Sequence, residues 1–241
     1  MPSTKAGRLI ATVIILVGAV LLIAAVFMPW YAEQASGTVS GQSITITRNA
    51  YLGLPSSNGT LQYTCSGLPA GFSCLSQTSY SAGNATHTGN IAEAVYFLAI
   101  AGFILGLIGG LIGLMSRGNS RRATPAIALA IVAMILAIAA TGMFAVALPG
   151  AISSDTPGNP GCGPGSTFFG SSSNGTCVGA PASETATWGP AIGWYLALVG
   201  FVVLLVGVIL ILRYRKDPPA PAPTATPSPV VPTAAGSPPT S

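Results

Sequence analysis

Four long apolar runs constrain the fold of this 241-residue chain more than any other feature. They cover residues 9–28, 91–115, 123–148 and 191–212. A helix rises about 1.5 Å per residue, so each run is long enough to cross a hydrocarbon layer about 30 Å thick. None contains Asp, Lys, Arg or His, and Glu93 lies at the edge of the second run. Backbone amides cannot bond to lipid, so the runs are predicted to be four transmembrane helices.

The charge content excludes an ordinary soluble globule. Charged residues make up 6% of the chain and hydrophobic residues 50%, whereas a soluble domain is about a quarter charged. The net charge of +4 comes from residues near the ends of the apolar runs and forms no basic stripe. No nucleic-acid partner is therefore expected, and the partner that the composition predicts is the lipid bilayer.

The basic residues predict the direction in which the chain crosses the membrane. Eight of the nine lie in three segments, at 1–8, 116–122 and 213–241. Only Arg48 lies in the two longer loops, 29–90 and 149–190. The positive-inside rule then predicts a multi-pass protein of the cell membrane with both termini cytoplasmic and the longer loops extracellular.

The first apolar run could also be a cleaved signal peptide, because Lys5 and Arg8 precede it. Signal peptides have apolar regions of about 7 to 15 residues, shorter than this run. Its length favours a retained helix.

The aromatic residues beside the first and fourth runs are predicted to lie at the membrane interface; they are Trp30, Tyr31, Trp188, Trp194 and Tyr195.

Small residues recur at regular spacing in the four runs and indicate where the helices pack. Small side chains let helix backbones approach closely within a membrane. The candidate packing glycines are Gly18, Gly102, Gly106, Gly110, Gly193, Gly200 and Gly207. They predict a compact four-helix bundle, although some of them could face a partner protein or a second copy instead.

Polar residues and prolines mark the expected helix ends. Asn90 is predicted to cap the second helix, with Glu93 reaching back to it. The alternative for Glu93 is an ion-entry site, which is disfavoured because no second charge lies within the runs to pair with it. Pro125 and Pro190 are each predicted to occupy a first helical position.

The longer loops carry the remaining structural signals. Alternation over residues 37–47 predicts a β-hairpin, and 60–64 a third strand. The second loop is rich in Gly, Ser and Pro and is predicted to be mostly irregular. Three glycosylation sequons fall in these loops, at Asn58, Asn84 and Asn174. The tail beyond 217 contains nine prolines and is predicted to be disordered.

All four cysteines lie in the two longer loops. Cys65 and Cys74 are in the first, and Cys162 and Cys177 are in the second. An extracellular location favours disulfides, with pairing within each loop preferred over pairing between loops. A metal site is disfavoured by the wide spacing and the single histidine. The predicted fold class is thus an all-α membrane protein, a four-transmembrane-helix bundle with a small extracellular β-rich, disulfide-stapled domain.

The first outer loop carries Trp30, then Gly53-Leu54, then the close cysteine pair Cys65 and Cys74. Together with the four spans, this pattern resembles the claudin and peripheral-myelin-protein superfamily, whose members carry a Trp, then Gly-Leu-Trp, then two close cysteines in that loop. Pro55 replaces the second Trp, the gap before Cys65 is longer, and the second loop has an extra cysteine pair. The resemblance implies a left-handed bundle topped by an extracellular sheet. It also implies a role in lateral or cell–cell contacts, or as an accessory subunit.

The residues offer little support for catalysis. The runs lack the histidines and carboxylates of haem or di-metal bundles. The single histidine, His87, lies in a loop, and no phosphate-binding loop or close dithiol is present. No enzyme activity, cofactor, metal or small-molecule substrate is therefore expected. The prediction is a non-catalytic tetraspan protein with a membrane-protein partner or a homo-oligomeric state; the alternative is an oligomeric channel or small-solute transporter.

Overall fold

The structure, a computed structural model, describes residues 4–38, 45–54, 58–66, 78–81, 86–116, 120–155, 167–172 and 184–214. Within them, four helices and six strands follow one another: α1 (Thr4–Val26), β1 (Pro29–Thr38), β2 (Thr45–Gly53), β3 (Asn58–Ser66), β4 (Thr78–Ser81), α2 (Thr86–Met115), α3 (Ser120–Asp155), β5 (Gly170–Ser172), β6 (Glu184–Pro190) and α4 (Ile192–Arg213). All four helices are long and apolar enough to cross a membrane. The prediction of four membrane-spanning helices is confirmed by the length and composition of these helices.

The helices pack as a ring in which each helix contacts the next one in the sequence and α4 contacts α1. The most extensive contacts join α2 to α3 and α1 to α4. Small residues fill the interior: α3 buries Ala126, Ala130, Ala133 and Ala137, whereas Val132 and Ile135 are exposed. A helix in water would turn its larger apolar side chains inward. This reversed arrangement is the one that a lipid solvent stabilises.

The six strands form one antiparallel sheet in the order β4-β3-β2-β1-β6-β5. The pairing of β1 with β2 confirms the predicted hairpin, and β3 contains the predicted third strand. β5 and β6 are a correction, because the sequence analysis assigned no strand to the second loop. They pair with each other, and β6 pairs with β1, so both long loops contribute to the same sheet.

Three helices begin at positions that differ from the predicted ones. α2 begins at Thr86, so the predicted cap at Asn90 is wrong, and Asn90 and Glu93 are exposed residues within the helix. α3 contains both Pro125 and Pro149 in its interior. α4 begins at Ile192, after Pro190 has ended β6. Partners outside the local sequence contact the starts of α2 and α4, as described below for Asp155 and Trp30.

Candidate functional site

The backbones of α1 and α4 approach each other closely where these two helices pack. A methyl group at Gly18 would lie 3.0 Å from the backbone nitrogen of Leu204 and 3.1 Å from the carbonyl oxygen of Gly200. One at Gly200 would lie 3.2 Å from the carbonyl oxygen of Gly18. Gly207 is similarly close to the backbone of Ile15. We call the surface formed by Gly18, Gly200 and Gly207 the glycine seam.

The glycines of α2 lie against two different helices. Gly102 approaches α3, where an added methyl would lie 3.3 Å from the carbonyl oxygen of Ala133. Gly106 and Gly110 face α1, against the side chains of Ala19 and Leu16 respectively. The small residues of α2 thus allow this helix to contact both of its neighbours in the ring.

At the end of the bundle away from the sheet, the first turn of α1 meets the end of α4. The Arg8 side chain donates a hydrogen bond from Nε to the carbonyl oxygen of Tyr214, at 2.9 Å. The Tyr214 ring lies over Gly7, where an added methyl would be 2.7 Å from Cδ1. The two helices are therefore held together at this end as well as along the glycine seam.

At the other end, Trp30 joins the bundle to the sheet. Its side chain is fully buried, and Nε1 donates a hydrogen bond to the carbonyl oxygen of Ala25 at 2.7 Å. Its own carbonyl oxygen accepts a hydrogen bond from the backbone N–H of Ala191 at 2.9 Å. Gly193 leaves room for the indole, which also meets the Phe144 ring edge-on at 5.2 Å between centroids. Trp30, which was predicted to lie at the membrane interface, is a core residue at this end of the bundle.

Further aromatic rings extend this contact. Phe168 lies close to the rings of Tyr31, Phe144 and Trp194, with centroid distances of 5.7 to 6.0 Å. Trp194 also donates from Nε1 to the carbonyl oxygen of Thr141 at 3.1 Å. Aromatic pairs of this kind contribute about 0.5–1.5 kcal/mol each beyond burial. We call Trp30, Tyr31, Phe144, Phe168 and Trp194 the aromatic junction.

Tyr31 is buried beside Trp30 although neighbouring strand residues normally point to opposite faces. The register of β1 against β2 shifts between Pro29 and Tyr31, so a bulge allows both side chains to be buried. The Tyr31 hydroxyl has no hydrogen-bond partner among the residues that the structure describes. Burial raises the pKa of Tyr31 above its ordinary value, and the nearby charge of Glu33 adds to the rise. The group is therefore a neutral phenol.

Asp155, the last residue of α3, caps the beginning of α2. Its Oδ1 accepts hydrogen bonds from the backbone nitrogen of His87 at 3.1 Å and from Nδ1 of His87 at 2.9 Å. Its Oδ2 accepts one from the backbone nitrogen of Thr88 at 2.7 Å. A carboxylate stabilises a helix N-terminus by satisfying its free N–H groups and by its charge. This contact explains why α2 begins five residues before the predicted start.

Three of the buried hydroxyl groups in the described helices bond to their own backbones. Thr12 donates to the carbonyl oxygen of Arg8 at 2.9 Å, Thr141 to that of Ala137 at 3.1 Å, and Ser116 to that of Ile112 at 2.6 Å. Such bonds satisfy the hydroxyl within one helix. Among the described residues, no three His, Cys, Asp or Glu side chains come together as a metal site would require.

Most of the predicted modification sites lie outside the described residues. This holds for Cys74, Cys162, Cys177, Asn84 and Asn174. The backbones of Asn58 and Cys65 belong to β3, and Cys65 pairs with Ile46 of β2. Their side chains are not described. The disulfides and the glycosylation sites therefore stay predictions.

The sequence analysis did not single out Asp155, Phe144 or Phe168 as important residues. Phe168 was hidden in a loop rich in Gly and Ser, and Asp155 followed a Pro-Gly pair that looked like the end of a helix. The chain matches no protein-family model, and a comparison with curated proteins finds no match. Its function must therefore be argued from its own residues.

Proposed function

We propose that this chain is a non-catalytic tetraspan protein of the cell membrane that holds its sheet outside the cell as a contact surface. The contacts are lateral or cell-surface protein contacts, or those of an accessory subunit in a larger membrane complex. The partner is another membrane protein or a second copy of the chain. In this proposal both termini are cytoplasmic, as the basic residues favour.

The observation that carries the proposal is the continuity between the glycine seam and the pairing of β1 with β6. Only Phe27 and Met28 separate α1 from β1, and only Ala191 separates β6 from α4. Two packed helices thus continue directly into two paired strands, and the aromatic junction fills the angle between them. A sheet attached in this way keeps a fixed orientation on the bundle, and such pre-organisation lowers the cost of binding a partner.

The bundle interior supports a contact role over coupled transport. Ion-coupled carriers place charged or strongly polar groups at the middle of the membrane. In the described helices the buried polar residues are Thr12, Thr88, Ser116 and Thr141, and the hydroxyls of Thr12, Ser116 and Thr141 bond to their own helices. The Asp155 carboxylate is also buried, but it lies at the end of α3 and not in the middle of a helix.

The relationship to claudin-like proteins is part of the same proposal. A helix bundle that carries a sheet at one end is the architecture that the resemblance implies, so the fold is compatible with it. The burial of Trp30 gives the first residue of the resemblance a packing role. The sequence still departs from the family pattern at Pro55, which replaces the second Trp, and in the extra cysteine pair of the second loop.

The orientation is tested with a membrane-impermeant maleimide on intact cells. Ser171 in β5 and Arg213 at the end of α4 are both exposed and lie at opposite ends of the molecule. The Ser171→Cys variant should be labelled above the wild-type background, and the Arg213→Cys variant only after the cells are permeabilised. Labelling of both variants on intact cells, or of Arg213→Cys alone, would contradict the proposed orientation.

The contact role is tested by cross-linking followed by copurification of the full chain in a mild detergent. Stoichiometric recovery of a second membrane protein, or of a homo-oligomer, would support the proposal. Phe169→Ser, at a 72% exposed side chain directly before β5, should reduce that recovery. Met115→Ser, at an 82% exposed side chain at the far end of α2, is the matched control and should not.

Recovery of a monomer alone would count against the contact role. Purified chain reconstituted in vesicles should leave solute flux at the level of empty vesicles. Flux above that level would favour the channel or transporter alternative.

A further inference from the structure

The two faces of the sheet differ in chemistry at β1 and β6. Strand side chains alternate, so Tyr31 and Glu33 lie on one face and Ala32 and Gln34 on the other. The first face carries Trp188 opposite Glu33 and meets the bundle through the aromatic junction. We call the second face, which points away from that junction, the polar face.

The polar face is uncharged wherever its side chains are described. On β1, β6 and β5 it consists of Ala32, Gln34, Ser36, Thr185, Thr187, Gly189 and Ser171. Gln34 is paired with Thr187, and the hydroxyls of Ser36 and Thr185 lie 2.9 Å apart. The Gln34 side chain is exposed, so its amide group is accessible to a ligand.

A groove with a volume of about 370 Å³ runs along β1 and β6. Ala32 and Gly189 are adjacent in register and leave a shallow floor, with Tyr51 beside Ala32 on one flank. Phe169 lies beside Gly189, with its Cβ 3.5 Å from the position of a methyl group added there. Consecutive residues of both strands line the groove, which requires that backbone atoms take part.

We propose that this groove binds a neutral saccharide. A sugar offers hydroxyl groups that both donate and accept hydrogen bonds, and the Gln34 amide can do the same. The Thr187 hydroxyl donates to the carbonyl oxygen of Gln34 at 3.5 Å and can accept a hydrogen bond from a sugar. The flat C–H face of a sugar ring packs well on an aromatic ring, and Tyr51 provides one at the side of the floor. The volume falls within the range of about 300–1,000 Å³ that is usual for ligand sites.

The groove favours a neutral ligand over a charged one. Glu33 lines the groove through its backbone, because its side chain lies on the opposite face with Tyr31. The described side chains on the face of the groove therefore carry no charge. An anionic or cationic sugar would find no described side chain of opposite charge there, and desolvating its charge would cost free energy. Saccharide binding does not require a protein partner, so this inference and the contact role can fail independently.

The test uses the full chain in lipid nanodiscs and calorimetric titration with hexasaccharides of known charge. The neutral probes are maltohexaose, cellohexaose and N-acetyl-chitohexaose; a hyaluronan hexamer is the anionic probe and a chitosan hexamer the cationic one. At least one neutral probe should bind with a Kd of about 1 mM or tighter. The charged probes should bind at least several-fold more weakly.

Variants of the groove test where the probe binds. Gln34→Ala and Thr187→Val each remove hydrogen-bonding groups and should each weaken binding by about two- to tenfold. Gln34 is exposed, so its replacement leaves the fold intact even if that of Thr187 does not. Ser172→Ala, on the opposite face of β5, is the matched control and should leave the Kd unchanged.

Three results would overturn the proposal. The first is no binding by any neutral probe up to about 10 mM. The second is tighter binding of either charged probe. The third is an affinity that neither Gln34→Ala nor Thr187→Val changes.

Discussion

Gly193, the second residue of α4, lies directly against the indole of Trp30 at the start of the sheet. A methyl group at Gly193 would be 2.6 Å from Cδ1 of Trp30. It would also be 2.8 Å from the carbonyl oxygens of Met28 and Pro29. Gly193 was predicted to pack against another helix, but its neighbours are the segment that leads from α1 into β1. The position of the sheet on the bundle therefore depends on the absence of a side chain at this residue.

Gly193→Ala should destabilise the protein by about 1–3 kcal/mol, because the neighbouring backbone carbonyls cannot move aside as a side chain can. The measurement is thermal unfolding of the purified protein in detergent. Gly142→Ala is the matched control, since nothing lies within 4 Å of a methyl group there. The control should be neutral or slightly stabilising, because Ala favours a helix over Gly by about 1 kcal/mol. Equal melting temperatures for the two variants would contradict the proposed contact.

A second pair of variants separates backbone contact from side-chain contact. Gly18→Ala places a methyl against the backbone of α4 and should cost about 1–3 kcal/mol. Gly110→Ala meets only the side chain of Leu16, which can change rotamer, so its cost should be below about 1 kcal/mol. The same unfolding assay compares them. A larger loss for Gly110→Ala would mean that the glycine seam is not what holds α1 to α4.

The Asp155 cap provides a third prediction. Asp155→Ala leaves the first N–H groups of α2 without their acceptors and should cost about 1–2 kcal/mol. His87→Ala keeps both backbone bonds to the carboxylate and removes one bond from an exposed ring, so its effect should be smaller. Hydrogen exchange at Thr88 should become faster in Asp155→Ala and remain near the wild-type rate in His87→Ala. Equal exchange in both variants would count against the cap.

The helices could be predicted from the sequence because lipid allows only a few solutions for a long apolar run. The glycine spacing also indicated close packing, although it could not say that Gly106 faces α1 while Gly102 faces α3. β6 could not be predicted, because its partner β1 lies about 150 residues earlier in the chain. Short strands within Gly- and Ser-rich sequence carry too weak an alternation to reveal such a distant pairing.

Features that depend on two distant segments were missed for the same reason. Trp30 and Tyr31 have the residue type and the position next to a span that are typical of interfacial aromatics. They are core residues because of the bulge in β1 and the contacts with Phe144 and Phe168. The start of α2 was misplaced because its cap, Asp155, is supplied by another helix. Local signals such as Asn90 determine a helix end only where no tertiary partner competes.

The hydroxyl of Tyr31 gives a prediction that depends on pH. Tyr31→Phe removes a buried polar group that has no hydrogen-bond partner in the described part of the chain, so at neutral pH it should leave stability unchanged or raise it by about 1 kcal/mol. The pKa of Tyr31 is raised in the folded protein and returns to about 10 on unfolding. Its contribution to stability is therefore complete below about pH 10 and declines as the pH rises above that value. Unfolding measured at about pH 8 and pH 11 should show wild type losing about 1 kcal/mol more than Tyr31→Phe over this interval. Parallel losses in the two proteins would mean that the Tyr31 phenol is open to solvent and ionises in the folded state.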